Sequence, residues 1–151
     1  MIVESVGLGQ SEVDIDAAVD MLILLVPPGG GDGLQAAKKG IMEAADLIIV
    51  NKADGDFLTN ARHTKADYGG AMQFVRQKHQ DWRAKVCMAS ARTGFEMETV
   101  ENNILSFYDI MKKNGNLRGK RATQSMHWMI GHFRKLVLDQ VEHTKEAQQG
   151  I

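Results

Sequence analysis

Three apolar runs, each stopped by polar or turn-forming residues, punctuate the chain: Met21 to Val26 ahead of Pro27-Pro28, Leu47 to Val50 ahead of Asn51-Lys52-Ala53-Asp54, and Val86 to Ala89 ahead of Ser90. Their apolarity is continuous rather than alternating, which predicts strands covered on both faces and therefore a parallel sheet. Helical spacing fills the intervals. Leu34, Ala37 and Ile41 share one face, as do Tyr68, Ala71, Val75 and Trp82, and then Met97, Val100, Ile104, Phe107 and Met111. The alternation of strand and helix predicts an α/β fold with a doubly wound sheet flanked by helices. Asn114-Gly115-Asn116 reads as a helix stop. Beyond it, Met126, Ile130, Phe133, Val137 and Val141 form a long apolar stripe on a last helix, which must pack against its own domain or another subunit. The pattern divides the chain into an α/β part, residues 1–115, and a helical arm, 116–151. Met1-Ile2-Val3, running straight into Glu4, reads as the end of a strand, so the expectation is a chain that begins inside a longer protein.

Composition narrows the chemistry. With 151 residues, 44% hydrophobic and 25% charged, the chain suits one globular domain. A formal net charge of -1 supplies no global basic field, so neither nucleic acid nor an anionic membrane is an expected partner, and any phosphate recognition must be local. The single cysteine, Cys87, falls within a predicted strand and reads as a small core residue. His127 and His132 are out of helical phase for a two-histidine metal face, and the basic cluster Arg118, Lys120 and Arg121 reads as a solvated patch.

In an open parallel sheet, ligands bind beyond the carboxyl ends of the strands. Asn51, Lys52 and Asp54 occupy one such position. Guanine offers two adjacent donors, its ring N1–H and its exocyclic amine, and one carboxylate accepts both in a fork; adenine has no matching pair. Each charge-assisted bond is worth ~1.5–3 kcal/mol, and a site built on such groups rejects a mismatched base by roughly 10⁴-fold. In this reading Asp54 reads the base, the Lys52 stem lies along the ring and Asn51 ties the loop to its neighbours. The same residues also fit a solvated strand-to-loop turn, since Asp54-Gly55 is turn chemistry. Ser90-Ala91-Arg92 ends the next strand where a second loop reaches the same place, with the Ala91 N–H free to approach the guanine O6.

"NKAD" followed by "SAR" resembles the guanine-recognition pair of GTP-binding P-loop proteins. The stretch "VESVGLGQSEVDIDAAVDMLILLVPPGGGDGLQAAKKGIMEAADLIIVNKADGD" resembles the methylmalonyl-CoA mutase-associated GTPases, with similarity from about Val3 to about Leu138. The resemblance implies part of a P-loop NTPase fold, with GTP or GDP and Mg²⁺ as cofactors. It implies roles in catalysis for Glu4, Gly7 and Gln10: Glu4 near the water shell of Mg²⁺, the Gly7 N–H facing the γ-phosphate, Gln10 positioning water. Taken alone, "GLGQSE" also reads as a glycine turn before a helix capped by Ser11. In "PPGGGDGLQAAKKG" the resemblance implies a switch loop coupling nucleotide to partner through Asp32, Gln35 and Lys38. Gly33 departs from the pattern there, and a flexible loop with a solvated helix face is the alternative.

The phosphate-binding signature Gly-x-x-x-x-Gly-Lys-Ser/Thr does not occur in these residues. The expectation is therefore a portion of a longer GTPase, and the resemblance implies that this GTPase acts as chaperone of adenosylcobalamin-dependent methylmalonyl-CoA mutase, coupling GTP binding and hydrolysis to cofactor loading and protection. The helical arm then resembles the start of a homodimerisation arm. The implied compartment is the mitochondrial matrix for an animal protein and the cytosol for a bacterial one. Two alternatives stand beside it: a non-catalytic module binding the mutase, and a nucleotide-dependent kinase linked to basic amino-acid transport.

Overall fold

The computed structural model describes residues 1–4, 12–29 and 39–149. Strands β1 (Ile23–Val26), β2 (Leu47–Val50) and β3 (Lys85–Met88) form one parallel sheet in that order. Ile23 pairs with Leu47 and Leu47 with Lys85, and the register runs unbroken to Val26, Val50 and Met88. Among the described residues the helices are α1 (Glu12–Ala18), α2 (Lys39–Ala44), α3 (Leu58–Ala71), α4 (Met97–Lys113) and α5 (Asn116–Gln149), with a 3-10 turn at Gly55–Phe57 leading into α3. Leu34 and Ala37 lie outside the described residues, and Ile41 is a buried member of α2.

Every side chain of β2 is buried, whereas β1 and β3 each expose one. The pleat sends Ile48 and Val50 to one face, where they meet Ile41 and Met42 of α2 and Ala61 and Tyr68 of α3. Leu47 and Ile49 point to the other face and, with Cys87, pack on Val100 and Ile104 of α4. The central strand β2 is thus covered on both sides, as its continuous apolar run requires, whereas Leu25 of β1 stands 62% exposed. Burying each such side chain stabilises the fold by ~1.5–3 kcal/mol. Cys87 is a buried strand residue whose thiol burial pushes above its ordinary pKa.

A third cluster joins α4 to α5. Trp82 and Phe107 meet edge to face, with ring centroids 5.3 Å apart, and Met111 and Leu117 complete the contact. The helix stop read from Asn114-Gly115 is present: Gly115 takes a left-handed φ of 73°, and the Asn114 and Gly115 N–H groups close onto Ile110 and Lys112 carbonyls at 3.1 and 3.2 Å. Lys112 and Lys113 fill the last turn of α4, where the helix dipole favours cations.

Four expectations fail. Met1, Ile2 and Val3 belong to no strand and stand exposed. The face drawn through Tyr68, Ala71, Val75 and Trp82 is not one helix: α3 ends at Ala71, after Gly69-Gly70, whose backbone freedom disfavours continuation. Trp82 reaches the core from the connection before β3, its indole N–H donating to the Asp46 carbonyl at 2.8 Å. Met97, assigned to the buried face of α4, is exposed in the first turn. Lys120 and Arg121 are not merely solvated. Lys120 donates to Asp16 of α1 at 2.9 Å, and Arg121 chelates Asp20 through Nε and Nη2, the shortest contact 2.6 Å.

These pairs adjoin a buried carboxylate at the amino ends of the strands. The Asp46 side chain is fully buried. Its Oδ2 accepts the Leu22 N–H at 2.8 Å, its Oδ1 accepts from His79 Nε2 at 2.9 Å, and Lys78 Nζ donates to both oxygens at 2.9 Å. Lys78 also donates to Asp16 Oδ1 at 2.7 Å and to the Ala44 carbonyl at 2.8 Å. Burial alone would raise the Asp46 pKa. The His79 hydrogen bond, the Lys78 charge and the Leu22 amide together outweigh it and hold the carboxyl below the ordinary aspartate range.

A folded-state pKa below the unfolded one means that this carboxylate stabilises the fold above the unfolded pKa and loses its contribution as pH falls through the folded value. The urea midpoint should therefore drop on acidification below about pH 4. Asp46→Asn should cost about 3 kcal/mol at neutral pH, by removing the buried carboxylate that accepts from Lys78, His79 and the Leu22 amide and leaving Lys78 only Asp16 as counter-charge, and should flatten that acid limb. Urea titrations of both chains from neutral to acid pH check this; equal midpoints at neutral pH would contradict the role given to Asp46.

Candidate functional site

The end of β2 cannot continue as strand, because its next residues are polar and must reach water. Asn51 extends the ladder by one bond, its N–H donating to the Val26 carbonyl at 3.0 Å. Lys52 then turns the chain with a φ of 58°, a left-handed conformation that a side chain rarely takes outside tight loops. Ala53 returns to the interior and donates to the Ala89 carbonyl at 3.0 Å, while the Ala89 N–H reaches Val50 at 2.9 Å. The tips of β2 and β3 are thereby laced together.

Asp54 follows in an extended conformation and projects its carboxylate toward the β3 tip. The fully buried Ser90 donates its hydroxyl to Asp54 Oδ2, and Arg92 Nη2 donates to Oδ1. The Ser90 oxygen also accepts the Thr93 N–H at 3.2 Å, so the hydroxyl is satisfied in both roles. A closed turn fixes this loop: Ser90 N–H donates to the Phe95 carbonyl at 3.0 Å and Gly94 N–H to the Ser90 carbonyl at 2.9 Å, with Gly94 at a φ of 78°. Asn51 Oδ1 bridges the two loops, accepting the Lys52 N–H at 2.8 Å and the Ala91 N–H at 3.4 Å.

The Ser90 hydroxyl foremost, then the Arg92 guanidinium, holds Asp54 below the ordinary aspartate pKa despite its partial burial. A carboxylate kept ionised at neutral pH accepts hydrogen bonds and donates none. The rim therefore presents an acceptor from Asp54 and the exposed stems of Lys52 and Arg92, whereas the Ala91 N–H, expected to be open, is engaged by Asn51 Oδ1 through a long bond of 3.4 Å.

All six residues singled out for base recognition, Asn51, Lys52, Asp54, Ser90, Ala91 and Arg92, stand together at the carboxyl ends of β2 and β3. Of the others, Glu4 is exposed on a segment without regular structure. Gly7, Gln10, Asp32, Gln35 and Lys38 lie outside the described residues. Among the described residues no group of three or more His, Cys, Asp or Glu side chains gathers to hold a metal. One exposed carboxylate such as Glu4 suits a Mg²⁺ ion that keeps its water and takes its other ligands from phosphates. Sequence reasoning missed Thr93, Gly94 and Phe95, which shape the second loop; the turn-forming Thr93-Gly94 pair was the available signal. A cavity of about 160 Å³ lies beside Asp46, Lys78 and His79 at the amino ends of the strands and holds none of the singled-out residues.

Comparison with known proteins fits this geometry. Residues 1–147 match the family model described as methylmalonyl Co-A mutase-associated GTPase MeaB. The methylmalonic aciduria type A homolog, mitochondrial, of Mus musculus is 40% identical over 139 residues, covering 92% of this chain and 34% of the mouse protein. The Escherichia coli GTPase ArgK is 38% identical over 139 residues, covering 92% of this chain and 42% of that protein. The solved structure of an LAO/AO transport system kinase superimposes with a TM-score of 0.76 at 33% identity, over 90% of this chain and 43% of that one. The chain thus spans well under half the length of these relatives. The order of elements, the paired strand tips and a family match over nearly the whole chain lead to one assignment: this chain belongs to the methylmalonyl-CoA mutase-associated GTPase family.

Proposed function

We propose that the chain supplies the base-reading part of a guanine-nucleotide-dependent GTPase that serves adenosylcobalamin-dependent methylmalonyl-CoA mutase, coupling GTP binding and hydrolysis to loading and protection of the mutase cofactor. One observation carries the nucleotide half of this reading: the Asp54 carboxylate, held by Ser90, sits at the carboxyl rim between two laced strand tips. Guanine N1–H and its amine would take Asp54 in a fork, the Ala91 N–H would meet O6, and the Lys52 stem would lie along the ring. The mutase half rests on the family. By the same resemblance the Gly7 N–H would face the γ-phosphate, Gln10 would position water, Mg²⁺ would enter with the phosphates and meet Glu4 through water, and Asp32, Gln35 and Lys38 would couple nucleotide state to the partner. In an animal protein the compartment would be the mitochondrial matrix, consistent with the name of the mouse relative.

Homodimerisation through α5 is the accompanying proposal. Met126, Met129, Phe133 and Leu136, which share one side of this helix, are all at least half exposed. Contiguous apolar surface of this kind is what a second subunit covers. The side chain of Val141 lies outside the described residues.

Asp54→Asn replaces an acceptor with an amide that also donates, so GDP affinity should fall by about tenfold or more while xanthosine diphosphate, with a second ring carbonyl, gains. Calorimetric titration of both chains with both nucleotides checks this, and an unchanged preference for GDP would remove Asp54 from base reading. GTP hydrolysis by the chain alone should be negligible in a phosphate-release assay, since these residues hold no lysine-bearing phosphate loop; turnover at ordinary GTPase rates would contradict that. Phe133→Glu should shift the chain toward monomer in sedimentation runs at micromolar concentration, and an unaltered mass distribution would place any interface elsewhere.

A further inference from the structure

A guanidinium and the Watson–Crick edge of guanine offer a carboxylate the same thing: adjacent N–H donors in one plane. Arg92 occupies Asp54 with one of those donors, Nη2 on Oδ1, while Ser90 holds Oδ2. The Arg92 side chain is 75% exposed and that of Asp54 only 13%, so the guanidinium covers the carboxylate from the solvent side. The turn beneath it is open. Gly55 has a φ of 52°, and a Cβ there would lie 3.8 Å from Arg92 Nη2, in contact with it. Residues 90–95 are pinned by their own backbone bonds, so Arg92 can leave Asp54 by side-chain rotation with the loop fixed.

We infer that Arg92 is a stand-in for the base, a competitor carried by the chain itself that occupies the acceptor of Asp54 and must swing away before a guanine can take it. This rests on the base-reading assignment above. The guanidinium removes part of the population from the binding-competent state, so apparent affinity and association rate are both reduced by the fraction in which Asp54 is free. Arg92 thereby works against the ligand with which its own loop is in contact. A simple contact role, in which Arg92 stacks on or bonds to the nucleotide, demands the opposite.

The two roles separate in one experiment on the 151-residue chain. Arg92→Ala should tighten GDP by up to about fivefold, the factor that an exposed ion pair can supply, and mainly through faster association in stopped-flow binding. In an Asp54→Asn background the same change should have little effect on GDP, because the carboxylate charge that draws the guanidinium is gone. Arg92→Lys, with a point charge in place of a fork, should fall between. Weakened or unchanged GDP binding by Arg92→Ala, or the same gain in both backgrounds, would overturn the inference while leaving the base reading intact. Absence of GDP binding by the unaltered chain, or indifference of its base preference to Asp54→Asn, would remove the base reading and the inference with it.

Discussion

The structure depends on one strand with no free face. Because Leu47, Ile48, Ile49 and Val50 are all buried, β2 can carry polar groups only at its two ends. Both ends are used. Asp46, before the strand, is sealed under Lys78, His79 and Leu22; Asp54, beyond it, is held at the rim by Ser90 and Arg92. The two carboxylates have the same charge and opposite tasks. The buried one fastens the connections that precede β1 and β3, and the half-open one is available to a ligand. Placing each demands the other, since a slip of β2 along its neighbours would break the fastening and misplace the rim together.

What could be read from the sequence follows from how local each signal is. A run of four apolar residues ending in polar ones declares a buried strand and its tip without reference to the rest of the chain, so the three strands, their parallel pairing and the meeting of the Asn51–Asp54 and Ser90–Arg92 loops were legible. The Asp46 assembly was not. An aspartate ahead of an apolar run looks like a surface turn, and its partners Lys78 and His79 lie 32 and 33 positions away. Lys120 looked solvated because its carboxylate, Asp16, is 104 positions distant. The end of α3 has a different origin: the apolar period runs on through Gly69-Gly70 to Val75, although two consecutive glycines weaken a helix more than a well-placed Val75 supports it. Trp82 kept its burial by another route.

The candidate site shows the same division. Residue types at the rim were visible, but their mutual arrangement was not. That Arg92 lies on Asp54, and that Asn51 bridges to the Ala91 amide, are relations across 38 and 40 positions that only the folded chain supplies. The left-handed Lys52 is likewise invisible in a sequence where glycine would be the usual signal, and it matters because it turns Asp54 toward β3.

The junction at Asn114-Gly115 has a mechanical implication. Helix α5 has 34 residues and is therefore about 51 Å long, while its grip on the body lies near its base, through Leu117, Lys120, Arg121 and Gln124. Geometry makes such a rod a lever: a pivot of about 10° at the base sweeps the far end through roughly 9 Å, nearly the diameter of a helix. Small rearrangements among a few charged side chains beside α1 would thus be magnified into large displacements of the distal apolar surface.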